Sequence, residues 1–399
     1  MGFNDHIDLD PTLFHYIEDK HVCVECLYDE GLKRFVNERC PPSGEPCSYC
    51  RGHSKSVPVA ELQSHILNFF PYVFIEEVMP RNDGEWLLPG QSGEEFLDEM
   101  LSGGVCDELF DDLERNIVDA LYCERDWQSQ PLTAQWQGQW KDFSSHVQYR
   151  DGRFAFSAEV INRERNHDER HPLDFFSAIS TALLRADGLS VLPEGTIVHR
   201  VREGHDFEPT FDQLTCPPDR FASTNRFSPQ GVSRFYGASS LKTACLEIKV
   251  PSGTPVSVGE FKARRPLALI DFTAVQFPKG KFDPSWIGNY HIAEFLKGFL
   301  VDIRKDVKGD TPDATYLPTQ ALCDFFSTSG ATHLCDVNMS DPKPSLAMQQ
   351  IDQTGKIDGI RFHSAKSDAG VSDCFVLFCN HLKSSSMLKL VSSARIIAS

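Results

Sequence analysis

Four cysteines in the segment HVCVECLYDEGLKRFVNERCPPSGEPCSYC form two CxxC pairs, Cys23/Cys26 and Cys47/Cys50. Two such knuckles, joined by a stretch that folds back, can surround Zn2+ tetrahedrally with four thiolates. Cys40 sits between the pairs beside Pro41 and Pro42 and reads as a bystander. Four ligands from one short unit leave no open coordination position, so the expected ion is structural and contributes to folding. A second set lies far downstream: Arg200 in IVHRVR, Arg220 and Arg226 in NRFSPQG and the loop before it, Tyr236 in FYGAS, and Glu247 closing SLKTACLE. Arginines offer paired donors to phosphate oxygens, an aromatic ring can stack on a planar heterocycle, and a carboxylate can stabilise positive charge developing on a sugar carbon. Each arginine alone reads as an exposed charge. Their combination with Tyr236 and Glu247 is what points to an anion-holding pocket.

These residues need elements to carry them. VAELQSHILNFF, FDDLERNIVDALYC and DFFSAISTALLRA space apolar residues three and four apart, which predicts helices. WLLPGQSGEEFLDEML and DWQSQPLTAQWQGQWKDFSSHVQY read as connections with short helices anchored by tryptophan. Beyond about residue 190, short β-rich pieces appear, namely IVHRVR, CLEIKV, TPVSVG, PLALIDF and CFVLFC. They are interleaved with the helical patterns IAEFLKGFLVDIRKDV and PTQALCDFF. Strand alternation sends Val198, Arg200 and Arg202 to one face of IVHRVR, and Ile197, His199 and Val201 to the other. SLKTACLEI is compatible with a helix, or with a helix running into a strand, that delivers Glu247. The tail SSSMLKLVSSARIIAS reads as an edge strand or a partly loose end. The expected fold class is α+β, with a zinc-knuckle segment over 1–56, a helical domain over 57–190 and a mixed α/β domain over 191–399.

Composition narrows the partners. The 399 residues include 41% hydrophobic and 24% charged residues, an ordinary globular balance with material for more than one core. A formal charge of −18 disfavours nucleic acid as a bulk partner, but leaves room for an anionic small molecule held by a local arginine group. No apolar run is long enough for a membrane span, and the start, MGFNDHIDLDPTLF, lacks the pattern of a secretory signal. Thirteen cysteines fit free thiols plus a metal site, so a reducing, cytoplasmic location is the expectation. There is no GxGxxG between strand and helix, no P-loop, no HExxH and no GxSxG, which weakens dinucleotide-fold, NTPase, zinc-protease and α/β-hydrolase readings.

The order HRVR, NRFSPQGVSRFYGASSLKTACLE, YLPTQALCDFF and DGIRFHSAKSDAGVSDCFVLF resembles the RES domain family over about 196–380. The knuckle segment and the helices after it resemble the HEPN-related region that precedes RES domains in longer proteins. The resemblance implies an ADP-ribosyltransferase-like fold, NAD+ as substrate and, in several members, a toxin held by an antitoxin. It places the family arginines on Arg200 and Arg226, the tyrosine on Tyr236, the glutamate on Glu247 and the late serine on Ser364. Asn225 stands where glycine commonly precedes the loop arginine, and asparagine tolerates the left-handed backbone such a turn can need. Lys366 replaces a common arginine, keeping charge without a bidentate fork. The stretch from about 255 to 318 is long, and its part in the pocket rim is left unplaced.

The implied chemistry is cleavage of the nicotinamide N-glycosidic bond, as an NAD+ glycohydrolase. Arg200 and Arg226 would fix phosphate or ribose oxygens, and Tyr236 would pack beside the nicotinamide or its ribose. Glu247 would face the anomeric carbon, while Ser364 would bond a ribose hydroxyl or position the glutamate. ADP-ribose transfer to another acceptor would use much the same pocket. A different activity is suggested by RERNHDERH, where Arg165 and His171 resemble the Arg–His signature of HEPN-type ribonucleases, with histidine as acid or base. His167 and His171 have no nearby cysteine and make a weaker metal pair. The front half also reads as a non-catalytic interaction module that senses a trigger or partner. An activity that consumes NAD+ implies restraint by an antitoxin, a regulatory protein or self-association.

Overall fold

A computed structural model describes residues 14–40, 45–50, 52, 55–69, 72–75, 91–118, 121–124, 132–149, 174–204, 207–248, 250–286, 290–304, 312–338, 345–364 and 372–398. The chain forms two compact units, Met1–Gln135 with Phe277–Phe295, and Trp136–Gln276 with Leu296–Ser399.

In the first unit, β1 (His21–Cys23) pairs antiparallel with β2 (Ser56–Pro58), and helices Glu30–Arg39, Val59–Leu67, Gly93–Leu101 and Asp107–Arg115 pack around them. Leu32, Phe35, Leu62, Ile66, Leu97 and Leu109 are the helical spacings that build this core. Local signals set the helix starts. Asp29 Oδ1 accepts from the Leu32 amide at 2.9 Å, and Ser92 with Glu95 closes a capping box. The segment 277–295 belongs to this unit: Phe282 lies in its core, and a Cβ on Gly31 would come within 2.3 Å of the Asp283 amide nitrogen. Only glycine permits that approach.

A second, three-stranded sheet, in the order β3 (Tyr72–Ile75), β5 (Leu121–Glu124), β4 (Gln91–Ser92), was not expected from the sequence. The pattern FDDLERNIVDALYC is therefore not one helix. The helix stops at Arg115, Asn116 caps it, Ile117 bridges to Phe14, and Leu121 to Glu124 pair as β5. The opposite holds after it, where the described residues of the supposed connection with short helices form one long helix, Leu132–Tyr149. Its buried Trp140, Phe143 and Val147 recur at helical spacing, so the aromatic anchors are themselves the apolar stripe.

His65 gives this unit a pH response. Its ring stacks on Phe35 at 3.9 Å between centroids, and Nε2 donates to the Phe282 carbonyl at 2.8 Å. Burial holds its pKa below the ordinary value, with Arg39 adding to that effect; the Phe282 carbonyl, Asp29 and Asp283 oppose it. A base whose native pKa is lowered contributes stability that is complete above its unfolded value, about 6.5, and is lost as pH falls through the native one. Denaturant midpoints should thus drop between pH 7.5 and pH 5.5, and His65→Gln, which keeps a donor near Nε2, should flatten that drop.

The second unit is built on eight strands: β6 (Leu189–Leu192), β7 (Ile197–Glu203), β8 (Phe235–Ala238), β9 (Pro255–Ala263), β10 (Leu267–Asp271), β11 (Gly359–His363), β12 (Asp373–Leu377) and β13 (Leu388–Ile397). They form one sheet in the order β13-β9-β7-β8-β12-β11-β10-β6. Only β10 and β11 run parallel, as their long helical crossover requires, and the other neighbours are antiparallel. The architecture is thus mixed α/β. β10 is buried at every position: Leu267 to Ile270 are an apolar run, and the buried Asp271 that ends it is paired with Arg361. β13 pairs with β9 along its length, so the tail is an edge strand. Cys245 to Ile248, part of the stretch CLEIKV read as β-rich, do not form a strand: helix Leu241–Glu247 runs through Glu247, and Ile248 caps it. On the helical side, Trp140, Phe143, Phe175, Phe176, Phe299 and Phe325 form one aromatic cluster.

Candidate active site and metal centre

The cavity opens where the sheet is weakest. β7 and β8 share a single bridging pair, His199 with Ala238, and beyond it residues from both strands border a cavity of about 520 Å3. That volume falls within the usual range of small-molecule sites, about 300 to 1,000 Å3. Arg200, Asn225, Arg226, Tyr236, Glu247 and Tyr316 line it.

Each reaches the cavity for a local reason. Arg200 and Arg202 share a face of β7, as alternation requires. Arg202 turns to the Thr215 carbonyl at 2.7 Å and to the Phe207 ring. Arg200 instead donates to the Tyr236 carbonyl at 2.8 Å and lies over the Phe235 ring, tying β8 to β7. Its Nε is buried with no hydrogen-bond partner among the described residues, and burial lowers its pKa. A part-buried guanidinium on the cavity wall is suited to an anion entering beside it. Arg202 is also lowered, to about 10, by burial and by neighbouring Arg200. The sites of His199 and Val201, expected on the opposite face, border the same opening because β7 parts from β8 there.

Arg226 stands on a tight turn in which the Asn225 amide donates to the Ser228 carbonyl at 2.8 Å and the Ser228 amide returns to Asn225 at 3.2 Å. The left-handed backbone allowed for Asn225 is not used, since Asp187 is the only non-glycine residue with positive φ among the described residues. Gly231 is the residue that takes it, at φ 82°. Tyr236 projects from β8, and its hydroxyl bonds to Ser228 Oγ at 2.8 Å. Burial raises the phenol pKa, keeping it protonated.

Helix Leu241–Glu247 starts at Ser240, whose Oγ accepts from the Thr243 amide at 3.2 Å, and ends on Glu247. A carboxylate in the last turn opposes the helix dipole, at a cost of about 0.3–1 kcal/mol. Ser364, just beyond β11 and 7% exposed, donates its hydroxyl to Glu247 Oε1. The five residues expected from the sequence are thus brought together, four on the cavity wall and Ser364 against Glu247. Lys366, Arg165, His167 and His171 lie outside the described residues. Tyr316 was missed, because it comes from the helix Pro312–Thr328 in the long connection between β10 and β11.

The first unit brings its four cysteines together. Cys23–Cys50, Cys26–Cys47 and Cys23–Cys26 sulfurs are 3.4, 3.6 and 3.9 Å apart, and all four lie within 4.8 Å of one another. A tetrahedral Zn2+ with Zn–S near 2.3 Å needs sulfurs about 3.8 Å apart. A disulfide would need about 2.05 Å. Burial, then hydrogen bonding to Cys47 and Cys50, pushes the Cys26 thiol pKa up, a penalty that a divalent cation would offset. The cluster can therefore coordinate a metal ion. Cys40 caps helix Glu30–Arg39, its sulfur donating to the Asn37 carbonyl, and is not among the ligands.

A mixed-sheet domain with an arginine, tyrosine and glutamate cavity, preceded by a helical region with a four-cysteine cluster, defines the class of protein. The chain belongs to the RES domain family: residues 197–395 match the RES domain, and residues 42–161 match HEPN/RES N-terminal domain 1. This membership points to an enzymatic role on nucleotides or nucleic acids. No curated protein matches the chain. Among the described residues, no helix is long and apolar enough to cross a membrane.

Proposed function

We propose that the protein is an NAD+ glycohydrolase whose reaction is carried out by the domain over 191–399. The supporting observation is the convergence of Arg200, Arg226, Tyr236 and Glu247 on one cavity, with Ser364 bonded to the glutamate. Arg200 and Arg226 hold the pyrophosphate or ribose oxygens, and Tyr236 packs beside the nicotinamide riboside. The C1′–N bond breaks with its electron pair leaving on nicotinamide, which departs neutral. The ribosyl carbon then carries the positive charge, and the Glu247 carboxylate faces it, held in place by Ser364. Water attacks C1′ and gives up a proton to Glu247, which later releases it to solvent, so the products are nicotinamide, ADP-ribose and a proton. The Cys23, Cys26, Cys47 and Cys50 cluster binds Zn2+ as a structural staple remote in role from this step. An activity of this kind is that of a regulated toxin or defence effector, restrained by a protein partner or by self-association, in the cytoplasm.

Incubating the purified protein with NAD+ and separating the products tests this. Nicotinamide and ADP-ribose should appear in equal amounts. Nicotinamide without free ADP-ribose would identify transfer to another acceptor, and RNA cleavage with intact NAD+ would overturn the reading in favour of the HEPN region.

A further inference from the structure

The helix Pro312–Thr328 meets the arginine turn with one face. Tyr316, Thr319, Gln320 and Asp324 follow at the spacing of adjacent turns. Tyr316 borders the cavity, and Asp324 accepts from Arg234 at 2.6 Å. Between them, Thr319 Oγ1 donates to the Arg226 carbonyl at 2.5 Å. The Gln320 side-chain amide donates to the Asn225 carbonyl at 2.7 Å, with Thr224 Oγ1 at 3.2 Å and the Ser228 carbonyl at 3.3 Å also in reach. Gln320 is 3% exposed, so these bonds do not compete with bulk water.

The turn from 224 to 228 is also held by Asn225 Nδ2, which donates to the Ser223 carbonyl at 2.9 Å, and by the Ser228–Tyr236 hydroxyl bond, neither of which engages a backbone group of Arg226. Its internal backbone pairing is the reciprocal Asn225–Ser228 contact, and the acceptors on both sides of the Arg226 side chain are engaged from the helix. A primary amide suits this position because it brings two N–H groups to clustered oxygens. A carboxylate of the same shape would bring none.

We propose that Gln320, assisted by Thr319, is a positioning residue that fixes the 224–228 turn so that Arg226 presents its guanidinium to an anionic group of the ligand in the cavity. The identity of that ligand as NAD+ rests on the function proposed above; the positioning itself rests on the contacts. The effect belongs to binding. Arg226 holds oxygens present in both ground state and transition state, so its misplacement raises KM more than it lowers kcat.

Gln320→Glu removes the donors at constant shape, and Gln320→Ala gives a second variant should the first not fold. Thr319→Val and Thr319→Ser form a parallel pair that removes or keeps the hydroxyl. For Gln320→Glu and Thr319→Val, KM for NAD+ should rise about tenfold or more with kcat within about threefold. Thr319→Ser should remain close to the parent. Hydrogen exchange of the amides in 224–228 should quicken in the first two and stay unchanged in β11 and β12. Should the parent protein leave NAD+ intact, the function proposed above fails, while exchange and calorimetric ADP-ribose affinity still decide the positioning role. Unchanged exchange in 224–228, or a loss confined to kcat, overturns it.

Discussion

Glu247→Gln is expected to slow nicotinamide release by about 10^3-fold while leaving ADP-ribose affinity within about threefold. The substitution keeps the shape of the side chain and an oxygen that can accept from Ser364, so the helix end and the cavity wall stay in place. What it removes is the charge. A carboxylate about 4 Å from a cationic carbon is worth up to about 4 kcal/mol at an effective dielectric constant near 20, and the attraction strengthens as the C1′–N bond stretches and the positive charge moves from the nicotinamide ring onto the ribosyl carbon. It therefore acts on kcat. Ser364→Ala should show a smaller loss, because it loosens the carboxylate without removing it. Initial rates of nicotinamide formation, with ADP-ribose binding followed by calorimetry, separate the two effects. A Glu247→Gln protein that retains more than about a tenth of parent activity would remove the carboxylate from the chemistry.

The legibility of these features in the sequence follows from how local their causes are. The four-cysteine cluster is readable because its ligands come from two CxxC knuckles in one short segment, and metal geometry dictates that spacing. The strands β7, β9, β10 and β12 are readable because alternating or unbroken apolar runs report burial on one or two faces. Arg200, Arg226, Tyr236, Glu247 and Ser364 could be nominated by their order along the chain, but their convergence is made by the sheet order, which places β7, β8, β12 and β11 side by side. Whether Glu247 ends a helix or enters a strand is undecided in the sequence, since CLEIKV has both patterns; the Ser240 cap and burial of Thr243 and Ala244 favour the helix. β5 is lost inside a helical reading because Leu121, Tyr122 and Cys123 continue an apolar spacing after the cap at Asn116. Gln320 carries no local mark at all. It stands 95 residues from the Asn225 carbonyl it serves, in a helix that reads simply as amphipathic. The same holds for Phe282, whose place in the core of the first unit comes from contacts with elements more than 200 residues earlier, such as the His65 ring 217 residues away.

Removing metal from the four-cysteine cluster is expected to unfold the first unit while sparing the eight-stranded sheet. The reason lies in what surrounds the sulfurs. Cys23, Cys26 and Cys47 are buried, and Cys23 and Cys26 sit at the junction of β1 with a core that includes Leu27, Leu32 and Val57. Without a cation, either the thiols stay protonated and make only weak hydrogen bonds, or their thiolates repel one another in a poorly solvated space. Structural zinc supplies on the order of 10 kcal/mol of folding free energy in small modules, comparable with the whole stability of a domain. A strong chelator, or Cys47→Ser, should therefore raise hydrogen exchange throughout helices Glu30–Arg39 and Val59–Leu67, whereas Cys40→Ser should behave as the parent. Metal analysis should give one zinc per chain in the parent and in Cys40→Ser, and less in Cys47→Ser. Because no ligand position is open, zinc loss should leave the intrinsic pocket of the second unit able to bind ADP-ribose. A metal-free protein with parent-like exchange in both helices would show that packing around Leu32, Leu62 and Phe282 alone sustains the unit, and that the cysteines are not its staple.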